Sequence, residues 1–137
     1  MDIDMFLNSP FWVIDFLPYQ VPADGKGQFF TVEDYYLKFP QIESLHWQFL
    51  SVLLKLNCYY QIKVAVGDQW IDNPDPELIQ KQIGGRGLDV LIKNTLIQYN
   101  RDDTHMTVYN PTEELLELLR ILAQSEGLFV WKPETNT

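Results

Sequence analysis

The chain has 137 residues, 46% hydrophobic and 14% aromatic, with 19 acidic side chains against 10 Lys and Arg for a formal charge of −9. A chain of this length buries about two-thirds of its unfolded surface around one core, so one domain over residues 1–137 is expected, without disulfide or metal staples. The negative charge and the absence of any basic cluster argue against binding to nucleic acid or anionic lipid; an acidic surface serves solubility or the approach of a basic partner.

Asp2 and Asp4 stand where an export signal needs positive charge, and Pro10, Asp15 and Pro18 break the apolar stretch from Met5 to Leu17. No apolar run reaches the ~18 residues of a bilayer span. Cys58 is the one cysteine, which rules out an internal disulfide and makes a reducing cytoplasm the default expectation. At the end of an apolar helical pattern, it reads as a buried, inert thiol.

The first element is Phe11 to Leu17, rich in β-formers and closed by Pro18. Pro22 and the Asp24–Gly27 run supply turn residues, which predicts a hairpin returning through Gln28 to Val32. From Phe39–Pro40 to Asn57, Ile42, Leu45, Phe49, Val52, Leu53 and Leu56 recur at helical spacing and define a central helix. Trp47, Leu50 and Leu54 lie outside that stripe and predict burial on more than one side.

Tyr60, Ile62, Val64 and Val66 alternate as a strand with one buried face, ended by Gly67–Asp68. Asp72 to Glu77 reads as a turn leading to a short helix, with Asp75 as its N-cap, Pro76 at its first position and a stop at Gly84–Gly85. Residues 88–93 fit a helical turn and a strand equally well. Thr95–Asn100 and Thr104–Tyr109 read as a hairpin through Arg101–Asp103.

Asn110 as cap, Pro111 at the first position, Glu113 at capping-box spacing and Gly127 at the stop mark a helix with Leu115, Leu118, Leu119 and Leu122 on its apolar face. Leu128–Trp131 is a last strand, which joins the sheet either by a right-handed crossover or as an antiparallel edge. Pro133 to Thr137 is expected to fray. The pattern is that of an α+β fold, with a mostly antiparallel sheet of about four to six strands packed against the central and C-terminal helices.

Functional motifs are sparse. His46 and His105, with Cys58, offer no zinc spacing, and no cofactor fingerprint or metal site is expected. His105 follows Asp102 and Asp103, which could orient an imidazole but are also ordinary turn formers. The acids Asp68, Asp72, Asp75 and Glu77 lack the offsets of a calcium loop.

Gly25–Lys26–Gly27 and Gly84–Gly85–Arg86–Gly87 read as turns rather than phosphate loops, with Arg86 the better candidate for an anion contact. No Gly-x-Ser-x-Gly elbow or other activated nucleophile is present. Aromatic residues crowd the first part of the chain, among them Phe11, Trp12, Phe16, Phe29 and Tyr35, interleaved with Asp15, Glu33 and Asp34. That mixture fits core packing, a pocket for a cationic or planar ligand, or a protein or homodimer interface.

Two functions follow. One is a non-enzymatic acidic interaction domain, such as an adaptor, inhibitor or immunity-type binder, facing a basic protein through Trp12, Glu33, Asp34 and Tyr35. The other is a ligand-binding protein or enzyme whose site gathers distant residues such as Glu33, Tyr35, Arg86 and His105. A cleft that gathers the early aromatics around an acid would favour the second.

Overall fold

The computed structural model describes residues 3–134 as an α+β fold, with four α-helices and a fully antiparallel seven-stranded sheet. In chain order the elements are β1 (Phe11–Asp15), α1 (Phe29–Tyr36), α2 (Gln41–Asn57), β2 (Lys63–Val66), β3 (Gln69–Asp72) and α3 (Pro76–Gly84). They continue with β4 (Gly87–Ile92), β5 (Thr95–Asn100), β6 (His105–Tyr109), α4 (Glu113–Ser125) and β7 (Phe129–Trp131), and one 3-10 turn at Asp4–Phe6 precedes β1. The sheet order is β3-β2-β4-β5-β6-β1-β7, so the first strand lies inside the sheet and the last at its edge.

The helices α2, α3 and α4 bury their apolar stripes on one face of the sheet. Phe49, Val52, Leu53 and Leu56 of α2, Ile79 of α3 and Leu119 of α4 are fully buried with Ile14, Val64, Val90 and Val108 from four strands. Side chains of this kind contribute about 1.5–3 kcal/mol each by leaving water. Leu50 is also buried, as the second apolar stripe of α2 predicts, whereas Trp47 remains exposed. The opposite sheet face carries a smaller cluster of Phe6, Leu91 and Leu96, flanked by Trp70 and Tyr109.

Several expectations are corrected. Residues 29–36 form α1 and not the return strand of a hairpin. β1 is paired with β6 on one side and β7 on the other, so a strand returning directly from it finds no vacant edge. Local β-propensity at Phe29–Val32 yields to that occupancy. The sheet holds seven strands because β3 extends the predicted β2 through a tight turn at Gly67–Asp68, with Gly67 at φ 61°. A Gly-Asp pair between alternating segments carries that hairpin signal.

Residues 87–92 are strand β4. Leu88, Val90 and Ile92 join the main core while Leu91 faces the second cluster. Burial on both faces erases the alternation that marks a half-buried strand.

The cap of α4 is Thr112, whose hydroxyl accepts a hydrogen bond from the Leu115 amide at 3.1 Å. Asn110 adopts φ 59° instead, donating its side-chain amide to the Asn94 carbonyl and its backbone N–H to the Pro10 carbonyl. It fastens β6 to the entry of β1, which leaves Thr112 to cap the helix.

Cys58 is exposed, not buried, because α2 ends at Asn57 and the thiol lies past its apolar stripe. In the tail, the Glu134 amide donates to Gln20 Oε1 at 2.6 Å; Thr135 to Thr137, part of the stretch expected to fray, lie outside the described residues. Among the described residues no helix is long and apolar enough to cross a membrane.

Candidate functional site

Strand alternation sends Trp12 and Ile14 of β1 toward the helices and Phe11, Val13 and Asp15 toward the opposite face. Pro18 and Pro22 end extended pairing after β1, and a turn closed by the Gly25 amide on the Pro22 carbonyl at 3.0 Å brings the chain back over this face. The segment 16–33, including the first half of α1, thereby roofs a cleft of about 880 Å³, which is of the size that accepts a drug-sized ligand.

The cleft floor comes from β1 and β6, with Val13 opposite Thr107 and Asp15 opposite His105. Trp131 and Pro133 close its β7 side, and Phe16, Phe29 and Phe30 belong to the roof. No Lys or Arg is among the residues lining it.

Asp15 is the unusual member, a carboxylate only 7% exposed in a strand whose other inward positions are apolar. Burial raises its pKa from 3.8 to about 6, opposed by the charge of His105 and by the backbone amides of Phe16 and Leu17, and reinforced by the charge of Glu33. The Phe16 N–H donates to Asp15 Oδ1 at 2.8 Å and fixes the carboxyl orientation. Glu33 enters from α1 and accepts a hydrogen bond from the Thr104 hydroxyl at 3.3 Å. The Thr104 side chain is itself buried, so that bond anchors α1 to the start of β6.

Two carboxyls and an imidazole therefore share one corner of an aromatic-walled cleft. A carboxyl that titrates near neutral pH can take or release a proton there, and strong perturbation in a cleft is a common mark of functional sites. Among the described residues, no group of three or more His, Cys, Asp or Glu side chains could hold a metal ion.

Of the residues expected to carry function, Glu33 and His105 converge in this cleft. Trp12 lies on the helix-facing side of β1 with Lys132 Nζ at 4.9 Å from its ring centroid. Asp34 points to solvent and pairs with Lys38 at 3.3 Å. Tyr35 is exposed, edge-on to Tyr36. Arg86 is exposed in the turn between α3 and β4 and is not among the residues lining the cleft.

Asp102 and Asp103, which follow the pattern of turn formers, are engaged elsewhere than at His105. Asp103 accepts from Asn100 and Asp102 pairs with Arg101, whereas Asp15 is the carboxyl set opposite the imidazole. Asp15 was legible in the sequence only as one of the acids among the aromatics. Its sharper signal is phase, since an Asp two residues beyond Val13 in an apolar strand shares the inward face.

A second hollow of about 760 Å³ lies between α2 and α3, lined by Glu43, His46, Trp47 and Gln80 among others. Burial lowers the pKa of His46, assisted by Arg101 and opposed by Glu43. It lacks the aromatic enclosure and buried carboxyl of the first cleft.

No protein-family model, curated protein or solved structure matches the chain.

Proposed function

We propose that this protein binds a small molecule with an apolar body in the cleft between the β1–β6–β7 end of the sheet and residues 16–33. The observation that carries the reading is Asp15: a buried carboxyl opposite His105, next to Glu33, in the floor of an 880 Å³ aromatic-walled cleft. Burying a carboxyl among apolar groups is unfavourable to its ionised form, so its position is more readily explained by a ligand than by stability. Pockets that combine apolar walls with a few converging polar groups are the usual form of small-ligand sites.

A thermal-shift screen of small metabolites tests this reading, because any compound that binds only the folded chain raises its melting temperature. Compounds that stabilise the wild type should fail to stabilise Thr107→Trp, whose indole fills the floor between Val13 and Gln98. Stabilisation undiminished by that change, or no stabilising compound at all, would count against the cleft.

A second reading, a surface for a basic protein partner, draws on the outer side of the α1 region. Tyr35 and Phe39 are 56% and 75% exposed beside the acidic Asp34, and aromatic residues are enriched in protein interfaces. Its test is a salt-eluted pull-down in which Tyr35→Ala releases the partner and Thr107→Trp does not.

A further inference from the structure

We infer that the cleft selects a small organic ammonium ion, an amine carried on an aromatic or aliphatic body, with the carboxylates of Asp15 and Glu33 as its counter-charges. The inference rests on the small-molecule reading and adds to it the charge and chemical class of the ligand.

The charges on the lining favour a cation. The ionisable side chains lining the cleft are Asp15, Glu33 and His105. Two carboxylates against one imidazole leave a negative sum even with the imidazole protonated. The nearest lysines by sequence do not alter this: Lys132 is drawn to the Trp12 ring on the other side of the sheet, and Lys26 is not among the lining residues. Low-dielectric walls strengthen the field of such a group of charges, so a cation is attracted and a phosphate or carboxylate is repelled.

The walls favour an organic body on that cation. Phe11, Phe16, Phe29, Phe30 and Trp131 all line the cleft. Aromatic faces attract an ammonium, and more strongly where it is desolvated. The same rings cover the hydrocarbon part of an amine, which a bare metal ion cannot exploit. The donors here also do not form a metal-binding group.

One feature opposes a cation: the start of α1 at Phe29 also lines the cleft, and its N-terminus has no side-chain cap. A full-length helix end is worth roughly half a positive charge, and its influence fades within one turn. Two carboxylates outweigh it. The amides of that turn, which have no side-chain cap, would suit a hydroxyl or carbonyl oxygen on the same ligand.

Asp15 and Glu33 also divide the task geometrically. Asp15 is fixed in the floor by the Phe16 amide, and Glu33 approaches from the roof and is held by Thr104. An ammonium carries three N–H donors, enough to serve a carboxylate on each side.

The test uses three probes with one phenyl ring and different heads: 2-phenylethylamine, 2-phenylethanol and phenylacetate. Each is titrated into the full chain at pH 8 and followed by calorimetry and two-dimensional amide NMR. The amine should bind at least about tenfold more tightly than the alcohol, a difference of about 1.4 kcal/mol, and shift the Asp15, Glu33 and His105 amides. Phenylacetate should bind least.

Asp15→Asn and Glu33→Gln, each verified as folded by its melting curve, should each reduce the preference for amine over alcohol. If the alcohol or phenylacetate binds at these amides as tightly as the amine, the ammonium assignment is overturned and the small-molecule cleft stands. If amine binding is unaffected by both substitutions, the assignment is likewise overturned. If none of the three shifts these amides, both the assignment and the cleft reading lose their support.

Discussion

Asp15 of β1 and His105 of β6 are direct partners in the antiparallel ladder, with Phe129 of β7 on the other side of Asp15. Glu33 reaches the same corner from α1 through Thr104. A buried acid is thereby surrounded by one opposing charge, one like charge and an aromatic wall, and its proton affinity is set by that company as well as by burial.

The pH dependence of stability follows from this acid. Its pKa is about 6 in the folded chain against 3.8 as the ordinary value, so between these the folded state binds more protons than the unfolded state. Stability from this group is greatest below the lower value and declines as pH rises through the upper one. Asp15→Asn keeps an oxygen to accept the Phe16 amide and has no carboxylate to ionise. Relative to wild type, its melting temperature should rise progressively between pH 4 and 7 and level off above that range. Melting curves at several pH values check this; a difference independent of pH would show that Asp15 carries no such linkage.

Tyr99 of β5 packs its ring against Phe49 at 5.0 Å and His46 at 5.6 Å between ring centroids, while its hydroxyl is buried without a protein partner among the described residues. Burial, aided by the charges of Asp103 and Asp102, pushes its ionisation well above the usual tyrosine range. Tyr99→Phe keeps the ring and removes the unpaired hydroxyl. It should stabilise the fold by about 1 kcal/mol, measured by chemical denaturation, and a loss of stability would reveal a hydrogen bond to that hydroxyl.

Gly87 opens β4 at φ 121°, where an added Cβ would collide with the backbone carbonyl of Tyr99 across the ladder. Backbone cannot move aside as a flexible side chain does. Gly87→Ala should lower stability by more than about 1 kcal/mol. Gly84→Ala, where a Cβ meets nothing within 4 Å, serves as the control and should be close to neutral.

The α4 cap separates two assignments that sequence spacing had confused. Thr112→Ala should cost about 1 kcal/mol through loss of the bond from the Leu115 amide. Asn110→Gly should cost less, since glycine accepts the φ of 59° and only the side-chain bond to Asn94 disappears. Denaturation midpoints for the two variants test that order.

The α2 and α4 helices, the β5–β6 hairpin and the stop signals at Gly84–Gly85 and Gly127 were all legible in the sequence, as was the α+β class. These depend on contacts within one turn or one hairpin, where side-chain period and capping chemistry act over a few residues. The early aromatics and Glu33 could likewise be marked as a region of interest, because residue type alone says what a side chain can bind.

Tertiary structure decided what no local pattern contains. α1 replaced a return strand because both edges of β1 were already taken, by β6 and β7. β4 lost its alternation because both of its faces are buried. His105 met Asp15 and not Asp102 or Asp103, since strand pairing between segments far apart in the chain placed them opposite each other. A sequence specifies each strand's inward face, but which strands become neighbours depends on how the whole sheet is satisfied at once. The cleft exists only after that choice has been made.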